Sequence, residues 1–242
     1  MHIRRDYNRS FFSTPRKPRR NPTRLLFVLG LAVGLLLLVV FGNVASLQES
    51  AFDLLGMGPT PTPLPGDLAT LGAALVLEGD LQAAADLFER ALAQRPDNPD
   101  YLHEYGQVLV ELGEPQAAIE LADRMLAINN NDPRAYELKA KAQVVAGNAT
   151  AAVQVALTGL GIDRTYAPLY AALSRAYTDT GNYQEAVNTG QLAVDVDPTS
   201  VDARRAYAYA LNWVGLSTDA TEQLEIAIQL DPTRLPAYFE LA

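Results

Sequence analysis

Residues 170–198 read YAALSRAYTDTGNYQEAVNTGQLAVDVDP, and this stretch contains the pattern that decides the fold. Gly181 separates two segments of helical character, and an alanine follows it five positions later. Both residues recur every 34 positions. A period of this length is typical of a helix–turn–helix unit, which cannot bury its apolar face alone and must stack on its neighbours. The recurring residues are Gly79, Gly113, Gly147, Gly181 and Gly215, and Ala84, Ala118, Ala152, Ala186 and Ala220.

Each repeating position has a predicted structural role. The glycine ends the first helix of a pair in a left-handed conformation, and the alanine lies where the second helix crosses the first. Prolines end several second helices, because proline cannot continue a helix and restricts the residue before it. Small residues on the first helix face the second helix. These prolines are Pro96, Pro198 and Pro232, and the small residues are Gly72, Gly106, Ala140, Ser174 and Ala208.

The third unit departs most from this pattern. Lys139, Gln143 and Arg164 stand where the other units have apolar residues or proline. We therefore expect this unit to be looser or locally distorted.

The pattern resembles the tetratricopeptide repeat family, most closely in the fourth unit through Tyr170, Leu173, Ser174, Tyr177, Gly181, Tyr183, Ala186, Ala193 and Pro198. The resemblance covers residues 66–242 and implies an all-α, right-handed superhelical α-solenoid. Its units are predicted at 66–98, 99–132, 133–166, 167–200 and 201–234, with a partial sixth at 235–242. Because solenoids normally finish with a polar cap, we expect the natural chain to continue past Ala242 or this end to dock on another molecule.

In that family the first helices line a concave groove that accepts peptides or helices. The resemblance therefore implies a protein partner and places a set of residues near the groove. Arginine and aromatic side chains are frequent at interface hot spots, so a partner segment carrying carboxylates is predicted. The alternative is that these are ordinary solvated side chains, and Trp213 equally fits a core position between the fifth and sixth units. The predicted groove residues are Arg134, Glu137, Lys141, Arg175, Arg205, Tyr209, Asn212 and Trp213.

The N-terminal region has a different character. Residues 1–24 have a net charge of +7 and are predicted to be a disordered basic tail on the cytoplasmic side. Residues 25–41 contain no polar side chain, and extending them to residue 46 gives enough helix to cross a bilayer. A single transmembrane helix at 25–46 is predicted to cross the cell membrane. The repeats would then lie on the extracytoplasmic side. Residues 47–65 form a predicted juxtamembrane segment and proline-rich linker.

The composition of the chain excludes several classes of function. Residues 66–242 have a net charge of −14, which argues against a nucleic-acid partner. The chain has no cysteine and two histidines, and no catalytic constellation is recognisable. We expect no catalytic, metal or cofactor site.

The predicted function is that of a membrane-anchored scaffold for protein–protein interaction, and a homo-oligomer is compatible with Gly30 and Gly34 in the span. Three alternatives stay open. They are a secreted, self-associating protein after signal cleavage, an accessory to protein export or envelope assembly, and the targeting part of a longer enzyme.

Overall fold

A glycine ends the first helix of every pair. Gly113 has a φ of 75°, in the left-handed region that a residue without Cβ adopts most readily. Its amide donates to the Val110 carbonyl at 3.1 Å, and the Glu114 amide donates to the Leu109 carbonyl at 2.8 Å. These two bonds satisfy the last carbonyls of the helix. The predicted role of the glycines is confirmed, because all five have φ between 75° and 83°.

The computed structural model describes residues 63–232 together with Leu31 and Val33. Within 63–232 there are ten helices and no strand, and none of these helices is long and apolar enough to cross a bilayer. The predicted tail, linker residues 47–62 and partial sixth unit lie outside the described residues, as does the predicted span apart from Leu31 and Val33. The helices are α1 (Pro65–Glu78), α2 (Leu81–Gln94), α3 (Pro99–Glu111), α4 (Pro115–Ile128), α5 (Pro133–Val145), α6 (Ala149–Ile162), α7 (Ala167–Asp179), α8 (Tyr183–Val196), α9 (Val201–Trp213) and α10 (Ser217–Leu230).

The helices pack as a solenoid. Each helix contacts the next one along the chain, and each first helix also contacts the first helix of the following unit, as α5 does with α7 and α7 with α9. The alanines predicted at the helix crossings are all buried, with exposures of 0 to 1%. The all-α solenoid predicted from the period is therefore confirmed.

Small side chains allow the two helices of a unit to approach closely. Ser174 Oγ on α7 donates to the carbonyl of Ala186 on α8 at 2.8 Å. A Cβ atom at Gly72 would lie 3.1 Å from the ring of Phe88 on the paired helix. The positions predicted to face the second helix therefore do so in these two units.

The third unit is as regular as the others, so the expected distortion was wrong. Helices α5 and α6 have 13 and 14 residues, as do the helices of the second, fourth and fifth pairs. Asp163 ends α6 with φ −136° and ψ 107°, the extended conformation that Asp197 adopts before Pro198. Asp163 Oδ1 accepts a hydrogen bond from the Thr165 amide at 2.8 Å, which stabilises this turn without proline.

The helical region begins one residue earlier than predicted. Pro65 is the first residue of α1, so it belongs to the repeats and not to the linker. Proline suits this position because the first helical turn leaves its amides without intrahelical partners. Leu64 has φ −62° and ψ 146°, the values of polyproline II, as expected for the end of a proline-rich linker.

Candidate functional site

The first helices of four consecutive units line a cavity of about 290 Å³. We call this surface the first-helix groove. Its lining comes from α3, α5, α7 and α9 and includes both apolar and charged side chains. The lining residues are Gln107, Val110, Glu111, Lys141, Val144, Val145, Ala171, Ala172, Arg175, Asp202, Arg205 and Ala206.

Small residues on α7 create the space in this groove. Ala171 occupies the repeat position that Glu137 has in the preceding unit and Arg205 in the following one. Ala171 and its neighbour Ala172 contribute only methyl groups to the lining. The ammonium of Lys141 on α5 therefore extends across α7, and its Nζ lies 3.0 Å from Asp202 Oδ2 on α9.

A buried carboxylate lies beneath one side of the groove. Glu137 on α5 is 1% exposed. Lys141 Nζ lies 2.7 Å from its Oε1, and Gln107 Nε2 donates to its Oε2 at 2.8 Å. His103 Nε2 on α3 lies 3.3 Å from Oε2. These contacts join the second and third units through polar groups and supply the donors that a buried carboxylate requires.

This environment shifts the pKa of each charged group in the cluster. Burial disfavours the imidazolium of His103, but the carboxylates of Glu104, at 3.9 Å, and Glu137, at 3.3 Å, outweigh that effect and raise its pKa to about 9. Burial also opposes ionisation of Glu137, yet the charge of Lys141 and the hydrogen bond from His103 hold its pKa well below the usual range. The pKa of Lys141 is raised despite its burial, because Asp202 and Glu137 stabilise its charge. At neutral pH the cluster is therefore fully ionised.

Arg134 connects the second and third units at the edge of the same helices. Its Nη1 lies 2.7 Å from Asp100 Oδ1, and its Nη2 lies 2.9 Å from Asp132 Oδ2. Asp132 also caps α5 by accepting the Arg134 amide at 3.0 Å. Arg134 is thus held by its own chain and stabilises the junction between units.

Aromatic side chains lie at the end of α9. The rings of Trp213 and Tyr183 stack with centroids 5.6 Å apart, and Tyr209 packs its ring edgewise against Trp213 at 6.2 Å. The Cζ atom of Arg175 lies 3.6 Å from the centroid of Tyr209, a cation–π contact. Trp213 remains 54% exposed, so this aromatic cluster presents a large apolar surface beside the groove.

Comparisons with known proteins show which repeat family these helix pairs resemble. One family model, described as tetratricopeptide repeat, matches residues 75–142, and a second with the same description matches residues 167–200. These two segments therefore match tetratricopeptide repeats. Proteins with these repeats bind protein or peptide partners and are typically scaffolds, not enzymes.

A solved structure agrees with this assignment at the level of the fold. It is a thermophilic tetratricopeptide protein of Thermus thermophilus, 23% identical with a TM-score of 0.64, and the match covers 73% of this chain and 96% of that one. MamA of Desulfovibrio magneticus is 18% identical with a TM-score of 0.48, covering 71% and 97%. The comparison with curated proteins found no match.

The first-helix groove brings together some of the predicted residues but not all of them. Lys141, Arg175 and Arg205 line it, and Tyr209 lies beside Arg175. Trp213 and Asn212 are exposed at the end of α9. Glu137 is buried beneath the surface and Arg134 is held in a junction between units, so neither one is part of the groove lining.

Three further residues of this site were not predicted from the sequence. Asp202 lies in the groove, Glu111 lines it, and Tyr183 completes the aromatic cluster. Asp202 comes 68 residues after Arg134, two repeat lengths, so the period itself places it on the first-helix face. No sequence signal indicates that Tyr183 reaches Trp213, because the two residues lie on different helices of neighbouring units.

Proposed function

We propose that this protein is a membrane-tethered scaffold that binds a segment of a partner protein in its first-helix groove. The observation that carries the proposal is the cavity of about 290 Å³ lined by four successive first helices. A segment lying there would contact several repeats at once, so that its binding would depend on their relative positions.

The chemistry of the groove favours a partner segment with carboxylates. Lys141, Arg175 and Arg205 contribute three cations to the lining, against the two carboxylates of Glu111 and Asp202. The Nε of Arg175 is buried without a hydrogen-bond partner within residues 63–232, and the nearest carboxylate oxygen, Asp179 Oδ1, lies 3.7 Å from it. The nearby rings of Tyr209 and Trp213 offer an apolar anchor of the kind that dominates many interfaces.

The membrane tether is part of the same proposal. It is supported by the apolar run at residues 25–41 and by the seven net positive charges before it. Positive residues flanking a span favour the cytoplasmic side, which would leave the tetratricopeptide repeats on the other side of the membrane. The partner would then be an extracytoplasmic protein or the extracytoplasmic part of a membrane protein.

The groove is tested by photocrosslinking in intact cells. A photoreactive amino acid at Val144, within the groove, is compared with one at Leu157, an exposed position on a second helix. A protein captured at Val144 but not at Leu157 is then purified and its affinity measured. We expect Arg175→Glu to weaken that affinity by about tenfold or more, and Arg90→Glu, the same charge change at an exposed position on α2, to leave it unchanged. Equal capture at both positions would contradict a groove interaction.

The tether is tested separately. Carbonate extraction of membranes should leave the full chain in the pellet, and mass spectrometry should find the intact N-terminus. A mature protein that starts near residue 47 and is released by carbonate would favour the secreted alternative.

A further inference from the structure

Asp202 occupies a position in the groove that suits a ligand carboxylate. Its Oδ2 lies 3.0 Å from Lys141 Nζ, and its Oδ1 lies 3.6 Å from Arg205 Nη1. All three side chains line the cavity. The carboxylate comes from the first turn of α9, whereas the lysine comes from α5, two units earlier. The contact therefore crosses the groove above Ala171 and does not run along a single helix.

We infer that Asp202 is a built-in competitor for the carboxylate of an acidic peptide that binds in the first-helix groove. The inference rests on the proposed function, and it specifies both the ligand chemistry and the residue that limits binding. When an acidic peptide enters, its carboxylate replaces that of Asp202 on Lys141 and Arg205. The side chain of Asp202 then turns toward solvent.

The two carboxylates that contact Lys141 differ in a way that supports this assignment. The side chain of Glu137 is 1% exposed and is enclosed by donors from two helices, so a ligand cannot displace it. The side chain of Asp202 is 25% exposed and lies at the start of a helix. It can therefore reach water by rotating about its own side-chain bonds.

Lys141 stays in place during such an exchange. Its Nζ keeps the 2.7 Å contact with Glu137 Oε1, which uses one of the three donors of the ammonium group. A second donor then becomes available to the ligand, and no new ordering of the lysine chain is needed. A site that is already organised binds its ligand with less loss of entropy.

The competition has a measurable consequence. An internal contact that must open before binding lowers the apparent affinity by the fraction of molecules in the open state. Asp202→Asn keeps the size of the side chain but removes its charge. The variant should therefore bind an acidic peptide at least about fivefold more tightly than the wild type, because the internal competitor is absent.

The test uses the full chain in a non-ionic detergent and two fluorescently labelled hexapeptides. One alternates alanine with glutamate, and the other alternates alanine with glutamine. Fluorescence anisotropy gives the dissociation constants. Asp219→Asn is the matched control, because it removes an exposed carboxylate from the first turn of the next helix and changes the net charge equally.

The expected result is a gain in affinity for the glutamate peptide in Asp202→Asn alone, with no gain for the glutamine peptide. Arg205→Gln in the Asp202→Asn background should reverse that gain. The inference is overturned by an equal gain in Asp219→Asn, by unchanged or weaker binding in Asp202→Asn, or by no binding of the glutamate peptide to either protein. Selective capture of a partner at Val144 would still uphold the proposed function in each of those cases, so the two failures are distinguishable.

Discussion

The buried carboxylate of Glu137 allows a decisive test of the packing beneath the groove. Glu137→Gln keeps the shape of the side chain but removes the charge that Lys141 Nζ contacts at 2.7 Å and that His103 Nε2 contacts at 3.3 Å. The imidazolium and the ammonium would then lie close together without the anion between them. We expect a large loss of stability centred on the second and third units.

The size of the effect follows from the burial of the pair. Removing one partner of a buried ion pair costs about 3–5 kcal/mol, because the other charge remains buried without compensation. Lys141 keeps its contact with Asp202 at 3.0 Å, so the lower end of this range applies. We therefore expect Glu137→Gln to reduce the free energy of unfolding by about 3 kcal/mol.

Urea unfolding followed by circular dichroism measures the change in the overall free energy of unfolding. Hydrogen exchange of the α5 amides measures the change in local stability. The local measurement matters because repeat arrays can unfold unit by unit. The control is Glu120→Gln, an exposed position on α4, for which a change of at most about 0.5 kcal/mol is expected. If Glu137→Gln costs no more than this control, the ionised cluster does not hold the two units together.

Three further predictions concern stability. His103 has a pKa of about 9 in the fold against an ordinary 6.5, so its stabilising charge is complete below pH 6.5 and is lost as the pH rises to 9. The free energy of unfolding should fall by about 3 kcal/mol over that window, and His103→Gln should remove this pH dependence. At Gly190, a Cβ would lie 2.8 Å from the Tyr207 Cα, so Gly190→Ala should lower the thermal midpoint, with a cost of about 1–3 kcal/mol. Gly161→Ala is its control, since a Cβ there meets no atom within 4 Å, and it should be neutral or stabilising. Finally, Gly147→Ala should cost about 1–2 kcal/mol in urea unfolding through its φ of 77° alone, and a neutral result would contradict the role of glycine at these turns.

The residues that the sequence predicts best are those whose role repeats. A glycine every 34 residues indicates a left-handed helix end, and an alanine five positions later indicates a close helix crossing. Both features are local or lie between adjacent helices, so the period alone was sufficient to predict them. The same period places Lys141, Arg175 and Arg205 on first helices, and all three line the cavity of the first-helix groove.

The sequence was a poorer guide to departures from the consensus. Arg164 replaces a proline, yet the turn keeps the Asp163–Thr165 hydrogen bond that its equivalent makes beside Pro198. Glu137 appears in the sequence as one more polar residue of an exposed face. It is buried because Gln107, His103 and Lys141 surround it from two helices.

By itself, then, the sequence determined the all-α solenoid and the place of each turn, and its family resemblance led to the proposed partner groove. It also supplied the basis for the proposed membrane tether. Only the tertiary structure decided which charges meet, because Lys141 and Asp202 are 61 residues apart and come within 3.0 Å through the stacking of α5, α7 and α9. The repeat fixes which face each side chain occupies, whereas contacts across two units depend on how far long side chains extend over small ones such as Ala171.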